Sequence, residues 1–504
     1  MNWQNYPLIR LVIPFILGMV VACVHDAQMN TVVLLALCCI LLALLFLFLR
    51  KSQSKYLFGG AAMLLSFFVG MTLYTNKYQS IAHGVPQDSA SCKGVLAELS
   101  EEKAKSWALN LEQNDGTHII LYIGKSRNDY TSDSIRFSRL GIGDTIFANT
   151  THLNATNGGD DGTFAQYHKH LFAHGICATC YAPCDQWQSH SLQSTANLSL
   201  SAKLIQQKLH STYNERGING DSGDIIEAMT IGMKENLDKE TRQTYATAGT
   251  SHVLAMSGLH VGLIAIVLQV FFIAHVVPHH RVWICNVFII ILLWCFAIIA
   301  GMSPSIIRAT LMFSILLLCQ SFTHELMPLN SCALAAAIML CINPLYINDA
   351  GFQLSFVSVA SIGLLGGASN TSYPPLPAFL RLLKGIIIIS LICTIATAPL
   401  VAYHFGRVPL LSVASNIVIA PLVYVIMWGS LLWWMFLWLV PFNTLLTNVL
   451  NWAADTMNSV TERIATMPHS TIEWHPSATA TTLCYIQLLI IAYILRTIKI
   501  KNRI

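Results

Sequence analysis

Charge is what this chain has least of. Aspartate, glutamate, lysine and arginine make up 11% of its 504 residues, hydrophobic residues 54%, and mean hydropathy is +0.56. Soluble domains carry about 25% charged residues, so the deficit excludes a freely soluble globular protein and indicates an integral membrane protein. An evident internal repeat is also lacking, which argues against a repeat-built solute transporter. The net charge of +4 says little about partners, but its distribution says more. Lys77–Leu200 holds 9 basic against 12 acidic residues, Ser201–Thr250 holds 6 against 7, and Ser251–Ile504 holds 10 against 5. A mildly acidic polar insert therefore interrupts a basic membrane part. No residue pattern implies a cofactor or a resident metal.

Apolar runs set the topology. Pro7–Val24, Thr31–Leu49 and Tyr56–Tyr74 come first, each near the roughly 20 residues that span a bilayer. The second link, Arg50 to Lys55, is basic and His25–Asn30 is not, so the positive-inside rule places the N-terminus in the cytoplasm and the polar insert outside. Further runs follow at Ser251–Val277, Val282–Gly301, Ser305–Phe322, Asn330–Ile342, Gly351–Leu365, Gly385–Tyr403, Leu410–Val440 and Ala480–Ile500. Counting Leu410–Val440 as two short crossings brings the basic links and the basic C-terminus to the cytoplasmic side, with about twelve spans. The expected architecture is a mainly α-helical polytopic protein of the inner (plasma) membrane with a small extracytoplasmic β domain inserted. Its regions are a three-span part (1–76), the β domain (77–195), a connector of short helices (196–250) and a membrane domain (251–504).

Within the insert, "GVLAEL", "WALNLE", "HIILYIG" and "GDTIFANTTHL" read as short strands, with Asn114-Asp115-Gly116 as a hairpin turn. The length suits a small OB-like barrel. Trp107, Tyr122, Tyr130 and Trp187 are candidate base-stacking residues. Lys93, Lys103, Lys105, Lys125 and Arg127 form a candidate basic cluster or a solvated surface. Cys92, Cys177, Cys180 and Cys184 lie in this extracytoplasmic part, where disulfides are expected before a metal site, and spacing selects no pairing. After it, "LSLSAKLIQQKLHSTY" is amphipathic, suited to the membrane surface or to the β domain.

Polar residues interrupt the apolar runs beyond Thr250. "GTSHVLAMSGLHVGLI" carries His252, Ser257, Gly258 and His260, and polar groups at membrane depth face a bundle interior or water. Its glycines permit close helix packing or a local unwinding where backbone lines a cavity. Arg308 stands at the start of a span, where an unpaired charge costs about 2.5–3.5 kcal/mol on insertion scales. Asp349, Gln353, His404, Arg407, Asn416 and Pro421 occupy comparable interruptions. Taken singly, snorkelling or capping accounts for Arg308, Arg407 and Asp349. Taken together, broken helices carrying polar groups indicate a lined pathway.

"TSHVLAMSGLHVGLI", "SPSIIRATLM", "DAGFQLSFVSVASIG" and "TAPLVAYHFGRVPLLSVASNIVIAPLV" resemble, in order, the successive blocks of the competence domain of the ComEC family of DNA-uptake proteins. "GTFAQYHKHLFAHGI" resembles the end of that family's OB-like region. The resemblance implies a channel for one DNA strand. Carried over, it marks His252, Ser257, Gly258, His260, Arg308, Asp349, Gln353, Asn416 and Pro421 as pore lining or fold maintenance. It implies as partners single-stranded DNA, the lipid bilayer, a periplasmic DNA receptor and a cytoplasmic translocating motor, with homo-oligomers open. Many members carry a C-terminal metallo-β-lactamase-like domain, but no His-x-His-x-Asp-His run is present here, so strand degradation is expected to need a separate nuclease. Two other classes stay open: an intramembrane serine hydrolase using Ser257 and His260, and a transporter of small solutes.

Overall fold

Each of these apolar runs becomes helical, because a chain in hydrocarbon must satisfy its backbone hydrogen bonds internally. The computed structural model describes residues 6–25, 31–49, 55–85, 91–97, 100–103, 105–113, 115–125, 136–137, 140–141, 143–156, 168, 171–190, 198–234, 236–275, 282–323, 328–365 and 377–501. The chain divides into two compact units, Met1–Leu200 with Ala336–Asp349, and Ser201–Ala335 with Ala350–Ile504.

In the first unit, α1 (Pro7–Val24), α2 (Thr31–Leu49) and α3 (Lys55–His83) pack together. Where α1 and α3 cross, a Cβ at Gly18 would collide with the Phe67 carbonyl oxygen and one at Gly70 with the Phe15 carbonyl oxygen. Such close approach is how helices associate where lipid removes the hydrophobic incentive. The C-terminal end of α3 meets the β region: Gly84 O accepts hydrogen bonds from Gln113 Nε2 (3.0 Å) and Cys177 Sγ (3.3 Å).

The β region contains β1 (Ser91–Leu96), β2 (Glu101–Glu102), β3 (Ser106–Glu112), β4 (His118–Gly124), β5 (Thr145–Asn149), β6 (His152–Ala155), β7 (Ile176–Ala182) and β8 (Trp187–His190). The four sequence-read runs give β1, β3, β4 and β5, the last run splitting to give β6 as well, and β2, β7 and β8 add to them. β3 and β4 make the expected hairpin, with Gly116 at φ +77° and Asp115 Oδ1 accepting from Thr117 N–H. The strand order is β6-β7-β4-β3-β1-β5-β8, antiparallel except for the parallel pair β4/β7. The consecutive strands β5 and β6 part company at Thr150-Thr151: β5 pairs with β1, and β6 with β7.

The second unit opens with α4 (Leu198–Glu215), α5 (Gly220–Thr230) and α6 (Lys239–Thr247), which bury Tyr213, Ile225, Ile226, Met229 and Tyr245. Leu209 and Tyr213 of α4 pack into this unit's own core. After these, in chain order, come α7 (Ser251–Leu254), α8 (Gly258–His275), α9 (Val282–Ile299), α10 (Pro304–Thr323), α11 (Pro328–Ile342, counted with the first unit from Ala336 on), a 3-10 turn of the first unit (Pro344–Asn348), α12 (Ala350–Leu365), α13 (Ala378–Phe405), β9 (Arg407–Pro409), α14 (Ser412–Met435), α15 (Val440–Ala465), β10 (Thr471–Glu473) and α16 (Ala478–Lys501).

The division of Leu410–Val440 into two crossings is corrected here. It forms one helix, α14, which runs unbroken through Pro421, since proline at membrane depth is tolerated where neighbours re-satisfy the freed carbonyl. Among the described residues six helices are long and apolar enough to cross a membrane, and five shorter apolar ones accompany them. The two-crossing parity that put both termini on one side is lost with that split. α15 is amphipathic, and it packs Leu450, Ala453, Ala454 and Met457 into the core with α14, α5 and α6.

One buried carboxylate lies in that core's rim. Glu227, 2% exposed, accepts from His210 Nδ1 at 2.7 and 2.8 Å. Burial raises its pKa above the usual glutamate value, against the lowering effect of His210. A raised folded-state pKa means that this contribution to stability is present below the ordinary glutamate pKa and lost as pH rises through the folded value. Glu227→Gln is therefore expected to flatten the decline of melting temperature with rising pH above the ordinary glutamate range, measured by thermal unfolding in detergent.

Candidate functional site

The stretch from Gly249 to His260 is not one helix. Gly249 adopts φ +77° and lies so close to Ser412 and Pro409 that a Cβ would meet them at 2.6 and 2.9 Å. Ser415 Oγ, at the start of α14, donates to Ala248 O at 2.8 Å. So anchored, the chain makes the single turn of α7, turns extended at Ala255 (φ −85°, ψ 122°) and restarts as α8 at Gly258. Ser251, His252, Gly258 and Leu259 are exposed at this break, and His260 is fully buried beneath it. A Cβ on Gly258 would lie 4.0 Å from that of Ala309 of α10, and one on Gly262 would collide with the Phe313 ring at 2.6 Å. The unwound reading of these glycines and the packing reading are both realised, at different positions.

Ser257 and His260 touch, in a particular way. The Ser257 N–H donates to His260 Nδ1 (3.1 Å), Ser257 Oγ lies 3.0 Å from the same nitrogen, and Leu259 N–H donates to Ser257 Oγ (3.3 Å). This is a reciprocal capping box at the N-terminus of α8, with an imidazole where glutamate or glutamine usually stands. Nδ1 is the acceptor of a backbone N–H, so Nε2 carries the proton of the neutral ring, and Nε2 is buried with no hydrogen-bond partner. The contact that read as a nucleophile and its base is accounted for by helix termination.

Lys234, on the loop between α5 and α6, and His252 are the electrostatic neighbours of His260. Burial, and then the Arg242 guanidinium, lower the Lys234 amine below its usual range. Arg242 Nη2 in turn donates to the Lys234 carbonyl. Lys234, with Arg242 bound to its carbonyl, is thus a basic neighbour of His260 that the sequence did not single out, because both lie outside the apolar runs.

The other marked residues gather in pairs rather than in one cluster. His404 Nε2 of α13 donates to Gln353 Oε1 of α12 at 2.9 Å. Asn416 Nδ2 of α14 donates to Ser390 Oγ of α13 at 2.7 Å, and Thr394 Oγ1 lies 3.2 Å from Ser412 Oγ one turn along. These form a polar seam between α13 and α14. Arg308 is buried (6% exposed) in the first turns of α10, and Asp349 is buried (7%) where the 3-10 turn ends. Arg407, on β9, reaches Gln243 Oε1 of α6 at 3.3 Å. Pro421 is exposed on α14.

In the β region two of the expected stacking residues are corrected. Trp107 (6% exposed) and Trp187 (3%) sandwich Phe137 at 4.7 and 4.9 Å in a buried stack, with Arg136 against Trp187 and Lys125 against Trp107. Lys125 is moreover bound to Glu102 at 2.5 Å, so part of the basic cluster is neutralised; Tyr130 and Arg127 lie outside the described residues. Cys92 and Cys180 share a thiol hydrogen bond inside the sheet. That bond and burial hold the Cys180 thiol high. Among the described residues no group of three or more His, Cys, Asp or Glu is placed to hold a metal ion.

Comparison with known proteins settles the lineage. A family model described as "Competence protein" matches residues 229–498, more than half of the chain and all of the site just described. The chain belongs to the competence protein family. It is 28% identical over 201 residues to ComE operon protein 3 of Bacillus subtilis, covering 40% of this chain and 25% of that protein. It is 28% identical over 172 residues to Recombination protein 2 of Haemophilus influenzae (32% and 21%), and 30% identical over 198 residues to an uncharacterized protein of Aquifex aeolicus (38% and 42%). The matched part is therefore a quarter or less of the first two relatives and 42% of the third. No solved structure matches the chain.

Proposed function

We propose that this competence family member forms an inner-membrane channel that admits single-stranded DNA during natural transformation. The observation that carries the reading is the break between α7 and α8. It exposes Ser251 and His252 where an apolar run is interrupted, near Lys234, whose carbonyl Arg242 holds. A polyanion cannot contact hydrocarbon, and an interrupted helix bordered by basic groups supplies both dipoles and charge of the needed sign. The polar seam of Ser390, Thr394, Ser412 and Asn416 gives α13 and α14 a second run of hydrogen-bonding groups.

On this reading the β region is an extracytoplasmic, OB-like domain, consistent with its parallel β4/β7 pair and with β5 and β6 lying at separated places in the strand order. A periplasmic receptor, a separate nuclease and a cytoplasmic motor are the partners such a channel requires. The capping role of Ser257 and His260 removes the main motive for the hydrolase reading, and a solute transporter has no specific observation in its favour.

The direct test is import of fluorescently labelled DNA into the cytoplasm of cells with and without this chain. Import is expected to depend on it; equal import in both strains overturns the channel. A second expectation concerns the extracytoplasmic placement. If the β region faces an oxidising compartment, Cys92 and Cys180 are joined there, because they are the thiols already in contact. Alkylation under non-reducing conditions followed by peptide mapping should find that pair linked. Both thiols alkylated in freshly isolated membranes would place the domain on the reducing side.

A further inference from the structure

Three strands of the β region set side chains in a single transverse row. His152 of β6 is the register partner of Tyr181 of β7, and Tyr181 is the partner of Tyr122 of β4. Residues in register on adjacent strands point to the same face, and here the face is the outer one. Tyr181 is 42% exposed and His152 and Asn154 are exposed, whereas Leu121, Ile123 and Cys180, which alternate with the row, are buried. Next along the sheet, Asn154 and Thr179 form a polar pair in the same register. Tyr122, His152, Asn154, Thr179 and Tyr181, with His168, enclose a recess of about 260 Å³. That is below the roughly 300–1,000 Å³ of pockets for drug-sized ligands, and suits a single flat ring.

The Tyr181 ring has a fixed attitude. A Cβ on Gly124 of β4 would collide with the Tyr181 hydroxyl and lie 3.3 Å from the ring carbon that bears it. The tyrosine therefore lies down across β4, over the one residue type with no side chain, and turns a ring face outward. A strand pair that spends its glycine on flattening an exposed tyrosine has built an aromatic platform. The charge of the recess matches its occupant. Among the described residues its lining has two imidazoles and no carboxylate, although acidic residues outnumber basic ones in the insert as a whole. Carboxylates would repel a phosphodiester, whereas sites for sugars commonly employ them to bind hydroxyls.

We propose that the outer face of β6, β7 and β4 is a stacking site for bases of single-stranded DNA, with Tyr181 and Tyr122 as platforms and His152, Asn154 and Thr179 meeting base edges or phosphate. The proposal rests on the channel reading and deepens it, by assigning the β region the task of holding the strand. It also replaces Trp107 and Trp187, which are occupied by Phe137.

The test uses the full chain in lipid nanodiscs and fluorescein-labelled oligo(dT), read by fluorescence anisotropy at fixed low salt. A base stacked on an aromatic side chain is worth about 1–3 kcal/mol, so Tyr181→Ala is expected to weaken binding about 5- to 150-fold. Tyr181→Phe should bind like the parent, and Gly124→Val, which lifts the ring from the sheet, should resemble Tyr181→Ala. Bromodeoxyuridine-substituted oligonucleotide should photo-crosslink to Tyr181 or Tyr122 in the unaltered chain, a readout that needs no variant to fold. Unchanged binding by a Tyr122→Ala/Tyr181→Ala double variant, crosslinks confined to other residues, or displacement of the oligonucleotide by neutral dextran overturns the proposal. Cellular DNA import by the parent separates the two readings. Import with unchanged binding by the double variant sinks the stacking site alone, and tyrosine-dependent binding without import sinks the channel alone.

Discussion

Alanine at position 260 is expected to reduce DNA import on the order of 100-fold, and glutamine at the same position to restore most of it. His260 is fully buried, and its Nδ1 accepts the Ser257 N–H. Alanine removes that acceptor and leaves a donor unpaired at the mouth of α8, a loss of about 1–3 kcal/mol. Glutamine is a standard third-position partner in a capping box and can accept the same bond. Ser257→Ala should be milder, about 1 kcal/mol, since it deletes one cap bond and spares the other. The pattern separates three roles by import assay, with membrane fractionation to confirm insertion. Rescue by glutamine identifies a cap. Failure of glutamine with normal insertion makes the imidazole itself necessary, and loss of import with Ser257→Ala as complete as with His260→Ala returns the serine to a chemical role. Arg308→Ala is a companion variant. It removes a buried charge from the first turns of α10, a change that eases rather than hinders insertion, so insertion should be unimpaired while import falls.

The second large effect is expected far from that break. Leucine in place of Gly18 or Gly70 should prevent accumulation of the protein, read by immunoblot of membranes. At both positions the added carbon meets a helix carbonyl: Phe67 O for Gly18, and Phe15 O for Gly70. Overpacking costs about 1–3 kcal/mol where side chains can adjust, and a backbone carbonyl inside a helix has no rotamer to change. The two helices must separate, which also strains the Ser66 hydroxyl bond to Leu11 O (2.7 Å). Gly59→Leu, where a Cβ would meet nothing within 4 Å, is the control on the same helix and should accumulate normally. Similar levels for all three variants would mean that α1 and α3 do not cross at these glycines.

The helical runs, the hairpin at residue 116 and the polar interruptions were legible because each depends on local physics: hydropathy over a window, turn chemistry, proline and glycine. Leu410–Val440 shows the limit of that logic. A proline inside an apolar run reads as a break, yet α14 continues through Pro421 because its neighbours, not its sequence, decide whether a missing N–H matters. The tryptophans failed for a related reason. An aromatic residue in a polar insert is equally suited to a core or a ligand face, and only the arrival of Phe137 between Trp107 and Trp187 assigns them to the core. Tyr181 and His152 were missed because the row they form runs across strands, and residues 29 apart in sequence give no periodic signal.

From sequence alone come the membrane class, the inserted β region, the ordered motif blocks and so the family, since composition and short motifs are properties of the chain before it folds. Tertiary structure decided the rest: that His252 is open while His260 is sealed into a cap, that Gln353 meets His404 and Asn416 meets Ser390, that Cys92 finds Cys180, and that Tyr181 lies flat on Gly124. Each is a meeting of groups distant along the chain or a difference in burial across a helix break, and such choices are fixed by packing, which no local pattern encodes.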